Sequence, residues 1–409
     1  MFNIEFPNAT IQKIAVKLTK GAEKRLLSSP HPWLFSDSIQ KINKKGNPGD
    51  LCVLFRQKSN QVFGVGLYDP HSPILIKMIH YYESIFIDEH FFRERIQKAA
   101  SIRVPLLQTD TNSYRLIFGE NDGLPGCIVD VYDSVCVVKL YSAIWFPYMK
   151  WLCTALVEHT NCSALVLRLS RRLQALQNPT FKEGSVVYGK LLKNDVLFRE
   201  HGVQFFANVI EGHKTGFFLD HRENRRKVGD LAHQKSVLDV FSYAGGFSTH
   251  ALKGGAKSVT SLDISKHALA LAQKNVSLNS LHASHQVIIG DAFQQLQKFS
   301  DSNQYYDMVI IDPPSFAKKE SEVKLALKKY KELANLAAPL VKERGVLVLA
   351  SCSSRVTSSD FFELVHEVCT EKGFFLIERT EHDIDHPVQF KEGAYLKCAY
   401  YQKKDSASK

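Results

Sequence analysis

From residue 236 onward the chain falls into an alternation that few folds can accommodate. Apolar runs over 236–241, 258–263, 286–290, 307–312 and 345–350 read as strands. Between them, 248–253, 265–279, 292–299 and a long stretch within 321–342 read as helices. Strands separated by helices argue a parallel, doubly wound α/β sheet covered on both faces. After a helix over 358–372, the runs 374–379 and 396–402 suit a closing antiparallel pair. In open sheets of this kind, ligands bind in the crevice outside the carboxyl ends of the strands. The residues just past each strand are therefore the ones to read for chemistry.

The first 235 residues lack this rhythm. Short strands at 14–18, 51–56, 62–68 and 74–80, punctuated by Gly46-Asn47-Pro48-Gly49-Asp50 and Asp69-Pro70-His71-Ser72-Pro73, argue a small β-barrel over 11–82. A charged amphipathic helix over 88–103, with Phe91, Phe92 and Ile96 on one stripe, opens a second segment. That segment, 83–210, mixes a hairpin (128–131, 135–141), a helix (145–159) and strands at 164–169, 186–188, 196–200 and 203–208, an α+β module. The alternating part completes a third domain, 211–403. At 409 residues, two to four domains are expected.

Composition narrows the partners. Residues 1–80 hold 11 Lys or Arg against 5 Asp or Glu, whereas the remaining 329 hold 41 against 37. A basic module on a nearly balanced body suggests a polyanion such as nucleic acid, or only a solvated basic surface. No stretch approaches a membrane span, and Met1 to Thr10 has no basic start followed by an apolar core. Eight scattered cysteines, with no CxxC pair and no zinc spacing, predict free thiols in a reducing cytoplasm and no metal site.

The first strand ends in Phe241-Ser242-Tyr243-Ala244-Gly245-Gly246-Phe247, a glycine turn that lets backbone approach a ligand closely. It lacks the G-x-G-x-x-G of a dinucleotide fold, which disfavours NAD. Asp263, followed by Ile264, ends the second strand and is placed for ribose hydroxyls. Asp291, followed by Ala292, stands at the third strand mouth and suits an adenine amino group. Singly, a glycine turn is ordinary turn chemistry and an acid at a strand end is a helix N-cap. In register over three βα units they describe an adenosine pocket without a phosphate grip, which points to S-adenosylmethionine.

Two further strand ends carry the reaction: Asp312-Pro313-Pro314-Ser315 and Ser351-Cys352-Ser353-Ser354. A cysteine beside an apolar strand is often a plain core residue. The polar neighbours Ser351, Ser353 and Ser354 argue instead for a thiol exposed at the strand mouth.

The ordered set Asp239 to Phe247, Asp263, Gly290 to Ala292 and Asp312-Pro313-Pro314 resembles class I S-adenosylmethionine-dependent methyltransferases. Flanking signatures narrow the likeness. They are Gly212-His213-Lys214-Thr215-Gly216-Phe217-Phe218-Leu219-Asp220-His221-Arg222, Asp385-His386-Pro387-Val388, His31-Pro32-Trp33-Leu34-Phe35 and the stretch from Arg115 to Gly126. With them the whole chain resembles the bacterial 23S rRNA cytosine-C5 methyltransferase family. The resemblance implies an N-terminal PUA-like domain, a central α+β domain and a C-terminal methyltransferase domain whose last strand is antiparallel. It implies Cys352 as nucleophile on cytosine C6 and Asp312 on the N3/N4 edge, with Phe241, Tyr243, Gly245, Gly246, Phe247, Asp263, Ile264, Asp291, Ala292 and Asp312 around the cofactor.

Cytosine C5 is a poor nucleophile; a thiolate adding to C6 makes it enamine-like, splitting one hard step into easier ones. Other RNA cytosine-C5 enzymes resemble a two-cysteine pattern, with the second Cys after the proline pair. Ser315 occupies that stretch here, so the base for the C5 proton is unassigned. A related branch that methylates guanine N7 resembles an Asn-rich segment where Cys352 stands, and needs no thiol. A non-catalytic RNA-binding protein is the remaining alternative, opposed by the intact Asp263, Asp291, Asp312 and Cys352. Lys41, Lys44 and Lys45, and Lys318 and Lys319 beside the proline pair, are candidate phosphate contacts. Base extrusion from a stem costs a few kcal/mol, so naked or partly assembled rRNA is the expected partner. The sequence leaves open whether the chain acts alone or as a homodimer.

Overall fold

The computed structural model describes residues 1–279 and 283–405, which divide into two compact units. Residues 280–282 and 406–409 lie outside the described set.

The first unit comprises 1–199, 206–219 and 384–390. Its N-terminal part is a six-stranded mixed sheet in the order Trp33–Leu34, Ile76–Tyr81, Val62–Tyr68, Leu51–Phe55, Lys13–Leu18, Ile39–Ile42. A helix, Lys20–Ser28, follows its first strand, capped by the Thr19 hydroxyl, which accepts the Ala22 N–H at 3.3 Å. The rest is a five-stranded sheet, Ser185–Gly189, Ala164–Leu169, Val135–Leu140, Cys127–Tyr132, Ser113–Phe118, with helices Glu89–Leu107 and Met149–Thr160. Phe91, Phe92 and Ile96 are buried against Trp145 and Leu152, as the helical stripe requires. The stretch 145–159 is not one helix: Ala143–Tyr148 is 3₁₀, with Pro147 inside it, and the α-helix begins at Met149. Proline cannot donate an intrahelical hydrogen bond, which favours such a break.

Asp385 and His386 belong to this unit within the segment 384–390, although the flanking stretches 220–383 and 391–409 belong to the other. The fully buried Arg103 donates to both Asp122 oxygens (3.0 and 2.6 Å) and to the Asp385 carbonyl (3.1 Å). The Asp385 carboxylate accepts the Arg115 N–H at 2.9 Å. The Asp385-His386 signature is thus a structural anchor of the first unit.

The second unit comprises 200–205, 220–383 and 391–409. Its sheet uses β1 (Ser236–Val240), β2 (Ser258–Asp263), β3 (Ser284–Ile289), β4 (Tyr306–Ile311), β5 (Val341–Ser351), β6 (Phe374–Thr380) and β7 (Lys397–Lys403). Helices α1 (Gly246–Lys253), α2 (Lys266–Leu278), α3 (Ala292–Asp301), α4 (Val323–Ala337) and α5 (Ser358–Glu371) connect the first six. The order is β3-β2-β1-β4-β5-β7-β6, with β7 antiparallel to both neighbours and the other pairs parallel. This is the doubly wound sheet with an antiparallel last strand. Alternate residues feed two cores: Leu238, Val240, Val309 and Leu347 on one face, Val237, Met308, Ile310 and Val348 on the other. Burial on both faces is why these strands read as continuous apolar runs.

Strand order reverses between β1 and β4, which is where such sheets bind ligands. The residues leaving those strands are Phe241 and Asp312, and the Asp312 N–H approaches the Val240 carbonyl at 3.4 Å.

Candidate active site

The turn after β1 is strained. Phe241 (φ +64°) and Tyr243 (φ +47°) occupy the left-handed region, as does Gly245 (φ +72°). Left-handed backbone costs a non-glycine residue on the order of 1–2 kcal/mol, and such costs cluster at functional sites. Gly245 is required twice over, because a Cβ there would also lie 2.8 Å from Ala272 Cβ on α2.

Asp263 braces the turn: one carboxylate oxygen accepts the Tyr243 N–H at 2.9 Å, the other the Ser265 N–H at 2.8 Å. Asp291 caps α3, accepting the Gln294 N–H at 3.1 Å. Both acids therefore do local work, and each oxygen keeps a lone pair for a ligand. Ile264 is 73% exposed, whereas Phe247 and Ala292 are buried; Gly246 opens α1.

Beneath the turn, fully buried Asp239 accepts the Ser248 N–H (3.0 Å) and hydroxyl (2.6 Å) through one oxygen. Burial pushes its carboxyl up to about 7; the Ser248 hydrogen bond opposes the shift, while Asp312 and Asp263 add to it. Its other oxygen, like the Ser242 hydroxyl, is buried without a hydrogen-bond partner. Orphaned polar atoms at a strained turn, three carboxylates and no basic residue from Ser242 to Phe247 suit a cationic ligand without phosphate. These residues fit S-adenosylmethionine.

Cys352 follows β5. Seven of the eight cysteines are buried; Cys352 alone is partly exposed. The serines beside it do not explain this, contrary to the sequence expectation. Ser351 and Ser353 are fully buried, donating to the Tyr330 hydroxyl (2.9 Å) and the Ala317 carbonyl (3.1 Å) respectively. Extended backbone alternates side chains, so burying both serines turns Cys352 the other way. Its thiol approaches the Pro313 carbonyl at 3.7 Å, which joins the two strand ends. Burial pushes the thiol up to about 12, followed by the Asp312 and Asp220 carboxylates; Lys397 pulls it back.

Sequence reasoning gave no role to two groups here. His221 Nε2 lies 3.3 Å from Asp312 Oδ1, and His221 Nδ1 lies 3.1 Å from the Asn224 amide nitrogen. Burial would favour the neutral ring, but the Asp312 and Asp220 carboxylates outweigh it and raise His221 above its ordinary range. Lys397 is fully buried behind the Cys352 turn. His221 stood within a quoted signature; Lys397 was visible as a charge between Leu396 and Cys398 in an apolar strand.

Lys318 and Lys319 are exposed, with both backbone N–H groups held by Glu322 (2.7 and 3.1 Å). In the first unit, Lys41, Lys44 and Lys45 are exposed on and after the strand Ile39–Ile42, and Lys44 Nζ donates to Gln12 at 2.8 Å. Trp33 is half-buried and donates to Glu120 at 2.9 Å, a packing role.

Comparison with known proteins gives the family and the fold. Residues 132–401 match the S-adenosylmethionine-dependent methyltransferase family and residues 16–81 a PUA-like domain. A ribosomal RNA large subunit methyltransferase of Deinococcus radiodurans is 38% identical over 97% of this chain and 99% of its own. Ribosomal RNA large subunit methyltransferase I of Escherichia coli is 34% identical over 94% and 98%. The fold is that of a methyltransferase solved with SAH (TM-score 0.82, 22% identity, covering 96% of this chain and 100% of that one). Among the described residues no helix is long and apolar enough to cross a membrane. This chain belongs to the S-adenosylmethionine-dependent methyltransferases, in the family of the large-subunit ribosomal RNA methyltransferases.

Proposed function

We propose that this protein methylates C5 of a cytosine in large-subunit (23S) rRNA through a covalent bond between Cys352 and cytosine C6. The observation that carries this reading is a partly exposed thiol on one strand end beside the Asp312-Pro313-Pro314 of the next, 3.7 Å from the Pro313 carbonyl. The names of the relatives support an rRNA substrate. Phe241, Tyr243, Gly245, Gly246, Ile264, Asp263, Asp291 and Asp312 hold the cofactor, with Phe247 and Ala292 packed beneath them.

With its ordinary proton, the Cys352 thiol is a weak nucleophile. Asp312 takes that proton and passes it to cytosine N3. Sulfur bonds to C6, the C5–C6 π pair becomes a C4–C5 double bond, and the N3–C4 π pair moves onto N3 to take that proton, leaving an enamine nucleophilic at C5. Bound at the turn after β1, S-adenosylmethionine supplies the electrophilic methyl group that C5 takes. A base then removes the C5 proton, that electron pair restores the double bond, and the S–C6 bond breaks. N3 returns its proton through Asp312 to the sulfur, so the net products are methylcytosine, S-adenosylhomocysteine and one released proton. His221 holds the Asp312 carboxylate in place for both transfers. The three domains proposed from sequence (11–82, 83–210, 211–403) divide this labour: the exposed lysines 41, 44 and 45 meet phosphates, and Lys318 and Lys319 hold the strand near the target. The expected setting is the cytoplasm, on naked or partly assembled rRNA.

The direct test is to map methylated bases on 23S rRNA from cells with and without this protein. Loss of one 5-methylcytosine is expected. Loss of an N7-methylguanine instead would transfer the activity to the thiol-independent branch.

A further inference from the structure

We propose that Lys397 is a positioning residue for Cys352: its buried ammonium fixes the turn that carries the thiol and supplies the positive charge that stabilises the thiolate. The inference rests on Cys352 as nucleophile.

Antiparallel pairing of β7 with β5 sets Lys397 opposite Ser351, the residue before Cys352. The Lys397 side chain has no solvent exposure. Its Nζ donates to the carbonyls of Ser353 (2.5 Å) and Val356 (2.7 Å), so one cation clasps both sides of the turn that follows the thiol. Among the described residues no carboxylate forms an ion pair with it. A buried charge without a counter-charge is costly, and a neutral residue could fill the same space. The missing anion is the one this site must create during reaction, the thiolate of Cys352. That anion appears twice, before attack on C6 and again when the S–C6 bond breaks, and the same ammonium serves both moments.

The surrounding charges make the role specific. Asp312, from the end of β4, and Asp220 both disfavour the thiolate. Tyr330 on α4 is neutral and bonded to Ser351. Lys397 is the cation among the groups that act most strongly on Cys352, with His221 set against Asp312 instead, and on Lys397 itself the strongest side chains are Cys352 and Glu381. Burial pulls Lys397 down to about 8. Below that pH the resting pair is thiol and ammonium, and forming thiolate–ammonium releases one proton. Above it the resting pair is thiol and amine, which holds the same number of protons as thiolate–ammonium.

The pH profile of Cys352 alkylation therefore tests the idea in the full-length protein. Iodoacetamide labelling is followed at the Cys352 peptide by mass spectrometry from pH 6.5 to 10. In the wild type the rate should rise tenfold per pH unit to about 8 and then flatten. In Lys397→Met it should be at least about tenfold lower at pH 7.5 and keep rising without a break. Lys397→Arg should recover the rate at pH 7.5 and lose the break, because guanidinium stays charged. S-adenosylmethionine titration reports whether each variant keeps its fold. If Lys397→Met does not fold, the wild-type profile decides: a steady rise through pH 8 to 10 overturns the inference. Identical wild-type and Lys397→Met profiles overturn it equally. Failure of the underlying reading is a separate result, methyl transfer that survives Cys352→Ala.

Discussion

Lowering the pH from 8 to 6 should weaken S-adenosylmethionine binding about tenfold, through one buried carboxyl. Asp239 sits under the cofactor turn with its carboxyl pushed up to about 7 by burial, against the Ser248 hydrogen bond and with Asp312 and Asp263 repelling it. The sulfonium and ammonium of the cofactor outnumber its carboxylate, so it arrives as a cation. A cation among three carboxylates favours ionised Asp239 and lowers its pKa in the complex. Below pH 7 binding must then displace a proton. The limiting penalty is roughly 1 + 10^(7 − pH), about elevenfold at pH 6 and about 1.1-fold at pH 8, or about 1.4 kcal/mol between them. Isothermal titration in buffers of different ionisation enthalpy reads both the affinity and the proton released. Asp239→Asn should flatten the profile, which separates Asp239 from His221. S-adenosylhomocysteine, without the sulfonium charge, should show a shallower dependence. Wild-type affinity that changes less than twofold between pH 6 and 8, with no proton release, would refute the reasoning.

Two more expectations follow from buried and exposed charge. Glu200 is fully buried, accepting from Arg225 (2.6 and 2.7 Å) and His250 (2.8 Å), and Arg225 holds its carboxyl well below the usual range despite burial. Glu200→Ala strands a buried guanidinium and should cost about 3–5 kcal/mol in urea unfolding. Because this pKa is depressed, the contribution is complete above about pH 4.5 and fades as pH falls, so Glu200→Gln should lose less stability on acidification than the wild type. Replacing Lys41, Lys44 and Lys45 together with Gln should weaken rRNA binding and lower its salt slope by up to about three, with S-adenosylmethionine affinity unchanged; an unaltered slope would reduce these lysines to a solvated surface.

The alternation after residue 236 was readable because the central strands β1, β4 and β5 are buried on both faces and each helix on one. The position of Asp263, Asp291 and Asp312 at strand ends was readable because each closes an apolar run. What escaped depended on distant partners. Nothing local to His221 announces Asp312, 91 positions on, and nothing local to Asp385 announces the Arg115 N–H that anchors it, 270 positions earlier. The Cys352 argument reached a partly exposed thiol by the wrong route, since Ser351 and Ser353 are polar but satisfied inside. In the N-terminal region, the helix Lys20–Ser28 and the strands Trp33–Leu34, Ile39–Ile42 and Ser113–Phe118 were missed. The helix buries only Ala22 and Leu26, too few apolar positions to show a period, and the Thr19 cap was its one signal.

The most direct measurement is covalent capture on RNA containing 5-fluorocytosine. Fluorine at C5 blocks the proton removal that precedes release, so a Cys352–C6 bond, once made and followed by methyl transfer, cannot break. Wild-type protein incubated with such RNA and S-adenosylmethionine should form a denaturant-stable adduct that digestion and mass spectrometry place on Cys352, and Cys352→Ala should form none while binding cofactor and RNA as before. An adduct on another residue, or active methyl transfer by Cys352→Ala without any adduct, contradicts the account.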